Sequence, residues 1–290
     1  MLTCLTGGNP VFMKRLFALL LIILTWGAVS QAHEGLHEQI AAVTAQIKRE
    51  PNNAELYLKR GELYRLHEDW QPALADYKRA EKLDPALFTI DLGRGKLLLA
   101  TNHPRQALNA LNRFLNRQPD NHEAWLTRAR VLARLKQTFA ALADYNRLLA
   151  TESEPEIYLE RARVYAAAGR LPEAIRSLDE SARTHGLLVS LELVALDYEL
   201  RQKLYDAALE RLDRLAAALP RRETWLARRG AILLQAKRPC AALAAFTEAL
   251  AALATLPPAR RNVRANLALE KNLRAGLARA ARANCGMKTP

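Results

Sequence analysis

The sequence predicts an all-α solenoid of stacked helix–turn–helix units, on three observations. Small or apolar landmarks, Gly61, Gly95, Ala129, Ala162, Leu196 and Gly230, recur at intervals of 34, 34, 33, 34 and 34 residues. Ala73, Ala107, Ala141, Ala174, Ala208 and Ala242 follow them by twelve residues each time. A fixed period of this length marks a repeat architecture, because each unit must bury its apolar face against the next. The composition agrees: half the 290 residues are apolar, only 6% are aromatic and 12 are glycine. Ala and Leu dominate and strand-type alternation is nearly absent, which favours closely packed helices.

The chain opens with residues 1–12, which carry no charge, then Met13, Lys14, Arg15 and the apolar run LFALLLIILTWGAV. This run is too short for the ~20 residues of a spanning helix, and Ser30-Gln31-Ala32 follows it. We expect a signal peptide over 1–32 with the working start at Met13, cleavage after Ala32, and a periplasmic or secreted product. An uncleaved membrane anchor is the alternative. No cysteine directly follows the run, so lipid attachment is not expected.

Residues 33–37 read HEGLH, a pattern that on a helix can align two imidazoles on zinc. Here Gly35 weakens the helix, the usual downstream His is absent, and Glu55 and Glu62, at distances some zinc sites accept, belong to the first helix of the first repeat, so neither a zinc site nor any cofactor is predicted. A mature N-terminal His33, with His37 nearby, leaves copper binding as an open alternative. Residues 33–53 read as a capping helix that ends at Pro51.

Six repeats follow, at 54–87, 88–121, 122–154, 155–188, 189–222 and 223–257. The first carries Tyr57, Gly61, Tyr64, Ala73, Tyr77, Ala80 and Pro85. Small residues at 61 and 73 let two helices approach, aromatics fill the space around them, and the proline stops the second helix. This pattern resembles the tetratricopeptide repeat family over roughly residues 54–256, and the resemblance implies a right-handed superhelix of the stacked units. Three units depart from it. Phe114 replaces a small residue, the third unit is one residue short around TESEP, and Glu192 and Leu196 replace aromatic and small residues. Looser packing is expected there.

Pro257-Pro258 ends the repeats, and 258–290 reads as a basic capping segment built on one helix over 259–284. Val263, Leu267, Leu269, Leu273, Leu277 and Ala280 would line one side of it, and Arg260, Arg264, Lys271, Arg274 and Arg282 a neighbouring stripe. The net charge of +13 is localised: residues 33–220 balance 27 basic against 27 acidic side chains, whereas 221–290 hold 14 against 3.

Glycine-rich phosphate loops, Cys-x-x-Cys pairs and Gly-x-Ser-x-Gly elbows are missing, and His67, His103, His122 and His185 are scattered. No nucleophile or acid–base pair can be assigned, so a non-enzymatic protein is predicted. The resemblance implies a concave face lined by the first helix of each unit. Here that face maps onto Glu55, Leu58, Glu62, Arg65, Lys96, Arg130, Arg134, Arg163, Asp197 and Arg201. The Lys/Asn clamp by which some relatives hold chaperone tails is absent, because its position reads Leu58, Leu92, Leu126, Leu159 and Leu193. The expected function is an adaptor that holds a protein or peptide in this groove. The alternatives are an assembly factor docking on an anionic membrane through the basic terminal helix, and a metal-binding accessory. Nucleic acid is not expected of an exported chain without interleaved aromatics.

Cys240 and Cys285 remain after export, and an oxidising compartment favours their disulfide. Simple geometry opposes it. A hairpin at Pro257-Pro258 would set residue 240 level with about residue 275, so Cys285 would overshoot by roughly ten residues, or ~15 Å at the α-helical rise. The bond is expected on compartment.

Overall fold

A computed structural model describes residues 35–283. The expected signal peptide, His33 and Cys285 lie outside the described residues. Within them the chain is helical throughout, with no strand. A capping helix α1 (residues 35–49) precedes α2 (Ala54–Leu66), α3 (Trp70–Leu83), α4 (Ile90–Ala100), α5 (Pro104–Arg117) and α6 (His122–Arg134). These form one compact unit, which ends at Gln137. A second unit starts at Thr138 and contains α7 (Thr138–Leu149), α8 (Pro155–Ala167), α9 (Leu171–His185), α10 (Val189–Arg201), α11 (Tyr205–Ala218), α12 (Arg222–Gln235), α13 (Pro239–Ala254), α14 (Pro258–Arg261) and α15 (Arg264–Arg282).

Helix starts follow local chemistry. Asn53 and Asn121 cap α2 and α6 by accepting from the amides of Glu55 and Ala124, at 3.1 and 2.8 Å. Each cap satisfies an amide that lacks an intrahelical partner. Proline opens α5, α8 and α13, where its missing N–H costs nothing. The turns between the paired helices share one device. Glu68, Asn102, Lys136, Gly169, Lys203 and Lys237 all have φ between 57° and 76°, so each turn bends through one left-handed residue. Only one of the six is glycine, although the conformation is costly for residues with a Cβ.

The predicted small residues lie at close helix approaches. A Cβ on Gly61 would stand 2.7 Å from the Tyr77 ring, and one on Gly95 2.6 Å from Leu111. Ala73, Ala107, Ala141, Ala174, Ala208 and Ala242 are fully buried. The aromatic position also has a polar role. Tyr57 donates to the Pro51 carbonyl (3.1 Å) and Trp125 to the Pro119 carbonyl (2.6 Å), each tying a first helix to the turn before it.

Arginine stands just before the small residue in five of the six repeats, at positions 60, 94, 128, 161 and 229. Arg60 grips Asp76 through two 2.7 Å hydrogen bonds, Arg94 grips Glu81, Arg128 reaches Asn112, Arg161 holds Asn146, Ser177 and Glu180, and Arg229 holds Asp213. The fifth repeat has Ala195 there. Its cation comes instead from the second helix. Arg211, 3% exposed, donates to Glu192 (2.6 Å), Glu199 (2.7 and 3.0 Å) and Asp179 (2.7 Å). Burial alone would lower the Arg211 pKa, but these carboxylates outweigh it and hold the guanidinium more firmly charged. The looser packing expected at Glu192 and Leu196 is therefore not observed. Glu192 is 5% exposed and paired, and Leu196 is fully buried. Phe114 is buried too, its ring 5.8 Å from that of Phe88.

The terminal segment differs from the expected single helix over 259–284. It breaks at Asn262 and Val263 between α14 and α15, with extended backbone at Val263 (ψ 146°). Val263 and Leu267, expected on the inner side, are 46% and 50% exposed, whereas Leu273, Gly276 and Ala280 are buried. The Phe246 ring sits between two glycines, since a Cβ on Gly230 or on Gly276 would approach it to 2.6 or 2.7 Å. The junction is locked by Arg221, which donates to Asn266 (3.0 Å), while Asn266 donates to the Arg260 carbonyl (2.8 Å).

Phe246 facing Gly276 also corrects the hairpin register. With α14 inserted at the bend, Cys240 falls level with about residue 282 of an antiparallel α15, not with about 275. The expected overshoot shrinks to about three residues, so the geometric objection to pairing with Cys285 disappears. Cys240 is disulfide-bonded; Cys285 lies outside the described residues.

Candidate functional site

First-helix residues predicted to line the groove occur in both compact units. In the first unit, several of them are engaged with their own neighbours. Glu62 accepts from the Tyr77 hydroxyl at 2.6 Å and pairs with Arg65 at 2.9 Å. Burial and the facing Glu62 carboxylate push the Tyr77 phenol well above its ordinary pKa, so that hydroxyl remains a donor. Glu62 also needs Gly93, because a Cβ there would fall 2.0 Å from its carboxylate oxygen. Lys96 pairs with Glu123 at 2.5 Å, and Arg134 donates to the Leu99 carbonyl at 3.3 Å. Arg130 and Glu55 are exposed. Glu62, Arg65 and Lys96 therefore serve the fold as well as the face, a pairing that spacing alone did not reveal.

The second unit presents a different surface. Arg163 on α8, Asp197 and Arg201 on α10 and Arg228 on α12 occupy first helices of three successive repeats. Arg163, Asp197 and Arg201 are exposed and Arg228 is half-buried. The Arg201 guanidinium carbon lies 5.5 Å from the centre of the Tyr198 ring. Burial raises the Tyr198 phenol pKa against the opposing charges of Arg163 and Arg201. Burial lowers the Arg228 pKa, with Asp197 the carboxylate acting against it. Arg228 and Tyr198 were not among the residues predicted from sequence. Arg228 stands two residues before Gly230, and the contact between Gly93 and Glu62 shows that this position abuts the predicted groove position of the preceding repeat.

No cluster of three or more metal-ligating side chains occurs among the described residues. The HEGLH segment contributes only His37 within them. The His37 ring packs against His67, centroids 4.4 Å apart, while His67 Nδ1 lies 2.9 Å from Asp69. That contact joins residues thirty positions apart and had no sequence signal. The terminal helices expose the predicted stripe of Arg260, Arg264, Lys271, Arg274 and Arg282, with Arg274 paired to Glu270 at 2.5 Å. No helix among the described residues is long and apolar enough to cross a membrane.

A family model described as tetratricopeptide repeat matches residues 92–153 and 140–185. Together these matches cover about a third of the chain, and over that stretch its helix pairs are similar to tetratricopeptide repeats. Solved tetratricopeptide structures share the fold. YrrB, described as a protein of this type with an unusual peptide-binding site, matches at a TM-score of 0.52 and 22% identity over 62% of this chain and 93% of its own. PilW, described as a type IV pilus biogenesis factor, matches at 0.55 and 22% over 72% and 94%. Among curated proteins, a DnaJ homolog subfamily C member 7 homolog of Schizosaccharomyces pombe is 29% identical over 180 residues, 57% of this chain. The match spans only 36% of that protein's length.

Proposed function

We propose that the protein is a non-enzymatic adaptor of the cell envelope whose tetratricopeptide repeats hold a protein or peptide partner against their first helices. The observation that carries this reading lies in the second unit, where Arg163 and Asp197, at equivalent first-helix positions of successive repeats, are both exposed. A stack of repeats is a preformed surface, so a partner meets groups already ordered and the entropy cost of binding falls. The signal-like segment over residues 1–32 supports an envelope location, and the peptide-binding site described for YrrB supports a polypeptide ligand.

The test is partner capture from a native envelope extract. Reversing Arg130, Arg134 and Arg163 to Glu is expected to abolish recovery of the specific partner with helical content unchanged. Reversing the exposed second-helix residues Arg105 and Arg117 is expected to leave it intact. Equal recovery with both sets of variants would contradict the reading.

A further inference from the structure

The cationic residues of the second unit divide by side. Arg161 and Arg229, on first helices, turn toward the second helices and pair there, while Arg211, on α11, is spent on Glu192 and Glu199 of α10 and Asp179 of α9. Arg163, Arg201 and Arg228 lie on the first helices of the same three repeats, and none of them forms an ion pair among the described residues. Arg201 lies over the Tyr198 ring, and Arg163 acts on the same phenol. Asp197 is the carboxylate whose charge acts on Arg228. Arg201 thus lies over a buried aromatic residue whose phenol also feels Arg163, and Arg228 has Asp197 as the carboxylate acting on it.

Such an arrangement is unfavourable by itself. Arg228 loses hydration through burial and forms no ion pair among the described residues, with only the Asp197 charge acting against that loss. A guanidinium fork is built to take planar carboxylates through two parallel hydrogen bonds. An incoming acidic side chain would supply the missing counter-charge, and the Tyr198 ring beneath Arg201 would help hold that guanidinium in place.

We propose that the first-helix face of α8, α10 and α12 recognises an acidic segment of the partner, its carboxylate side chains seated on Arg163, Arg201 and Arg228. The inference rests on the adaptor reading and adds the chemistry of the partner to it. Recognition falls on side-chain carboxylates along an extended segment, so a free chain terminus is not required. The three arginines sit on successive repeats, which suits an extended chain crossing the helices.

The probe is a fluorescent alternating glutamate–serine peptide, acetylated and amidated at its ends, titrated against the full chain at low salt. A glutamine–serine peptide and phosphatidylglycerol vesicles serve as alternatives. The acidic peptide is expected to bind, to weaken as salt rises, and to outcompete the glutamine version. The Arg163→Gln/Arg201→Gln variant is expected to bind it about tenfold more weakly, from two exposed charge contacts of up to about 1 kcal/mol each. Arg176→Gln/Arg183→Gln removes the same charge from exposed positions on α9 and is expected to change affinity less than twofold, by roughly the scatter of distant surface charges. Arg228 is left intact because its partial burial makes it part of the fold. Equal losses in the two double variants would overturn the proposal, and so would equal binding of the glutamate and glutamine peptides. Arginine-dependent binding to vesicles without binding to the peptide would also overturn it. If the peptide fails while partner capture still depends on the first-helix face, the acidic segment falls and the adaptor stands.

Discussion

Replacing Arg211 with Met tests how the fifth repeat tolerates its departures from the pattern. Methionine keeps an apolar stem of similar reach but removes every donor. Glu192 and Glu199, 5% and 3% exposed, then lose their common cation, and Glu199 Oε2 already has no hydrogen-bond partner. Asp179 is 37% exposed at its side chain and rehydrates at little cost. Two stranded buried carboxylates set the magnitude, and removing one partner from a buried network costs about 3–5 kcal/mol. Because repeat arrays unfold in segments, the loss should be read locally, as faster amide hydrogen exchange in α9, α10 and α11 alongside urea unfolding followed by circular dichroism. Adding Glu192→Leu and Glu199→Leu to Arg211→Met should recover most of the loss, since a complete buried network can be exchanged for apolar residues at little cost. A loss under about 1 kcal/mol for Arg211→Met, or a triple variant no more stable than the single one, would refute this account of the repeat.

Other consequences follow from the same contacts. Lys203→Gly and Lys237→Gly should each raise stability by about 0.5–1 kcal/mol, because relief of the left-handed strain exceeds the glycine entropy cost; thermal melts of the two variants check this. Gly276→Ala should loosen α15 despite its higher helix propensity, because the Phe246 ring is held by Gly230 on its other side and cannot retreat. The cost is about 1–3 kcal/mol of overpacking, visible as increased exchange at Leu273 and Ala280. The hydrogen bond from Arg94, more than burial opposes it, holds the Glu81 carboxyl below its ordinary pKa of 4.5. Its folded pKa lies below the unfolded one, so the stabilisation is present above about pH 4.5 and fades as pH falls through the folded value. In Arg94→Gln the Glu81 midpoint read by NMR should rise toward 4.5. Peptide mapping without reductant should recover Cys240 joined to Cys285; a Cys240 peptide joined to anything else would break the corrected register.

The fold was legible because its determinants are local and periodic. Gly61, Gly95 and Gly230 announce close approaches by size alone, and the alanines twelve residues later complete each contact. What escaped the sequence were contacts between charges on different helices. Glu192 stood out as a departure, but its partner Arg211 lies nineteen residues away on another helix and fits no family position. Glu62 and Lys96 read as free groove residues because their partners Tyr77 and Glu123 lie on other helices, one and two helices further along the chain. The left-handed turns were hidden because four of the six use Glu or Lys, which signal helix or surface. The break at Asn262 and Val263 carries no proline or glycine, and only the register imposed by Phe246 and Gly276 reveals it. Arg228 was missed because its position in the other repeats is held by unrelated residues such as Gly93 and Val194.

The central claim is that partners meet the first helices. Photo-crosslinking tests it most directly, with a benzophenone amino acid placed in turn at the exposed first-helix positions 130, 163 and 197 and at the exposed second-helix positions 105, 109 and 176 of the full chain in its native cells. The account predicts one shared adduct at the first-helix positions and none at the second-helix positions. Adducts confined to the second helices would contradict it.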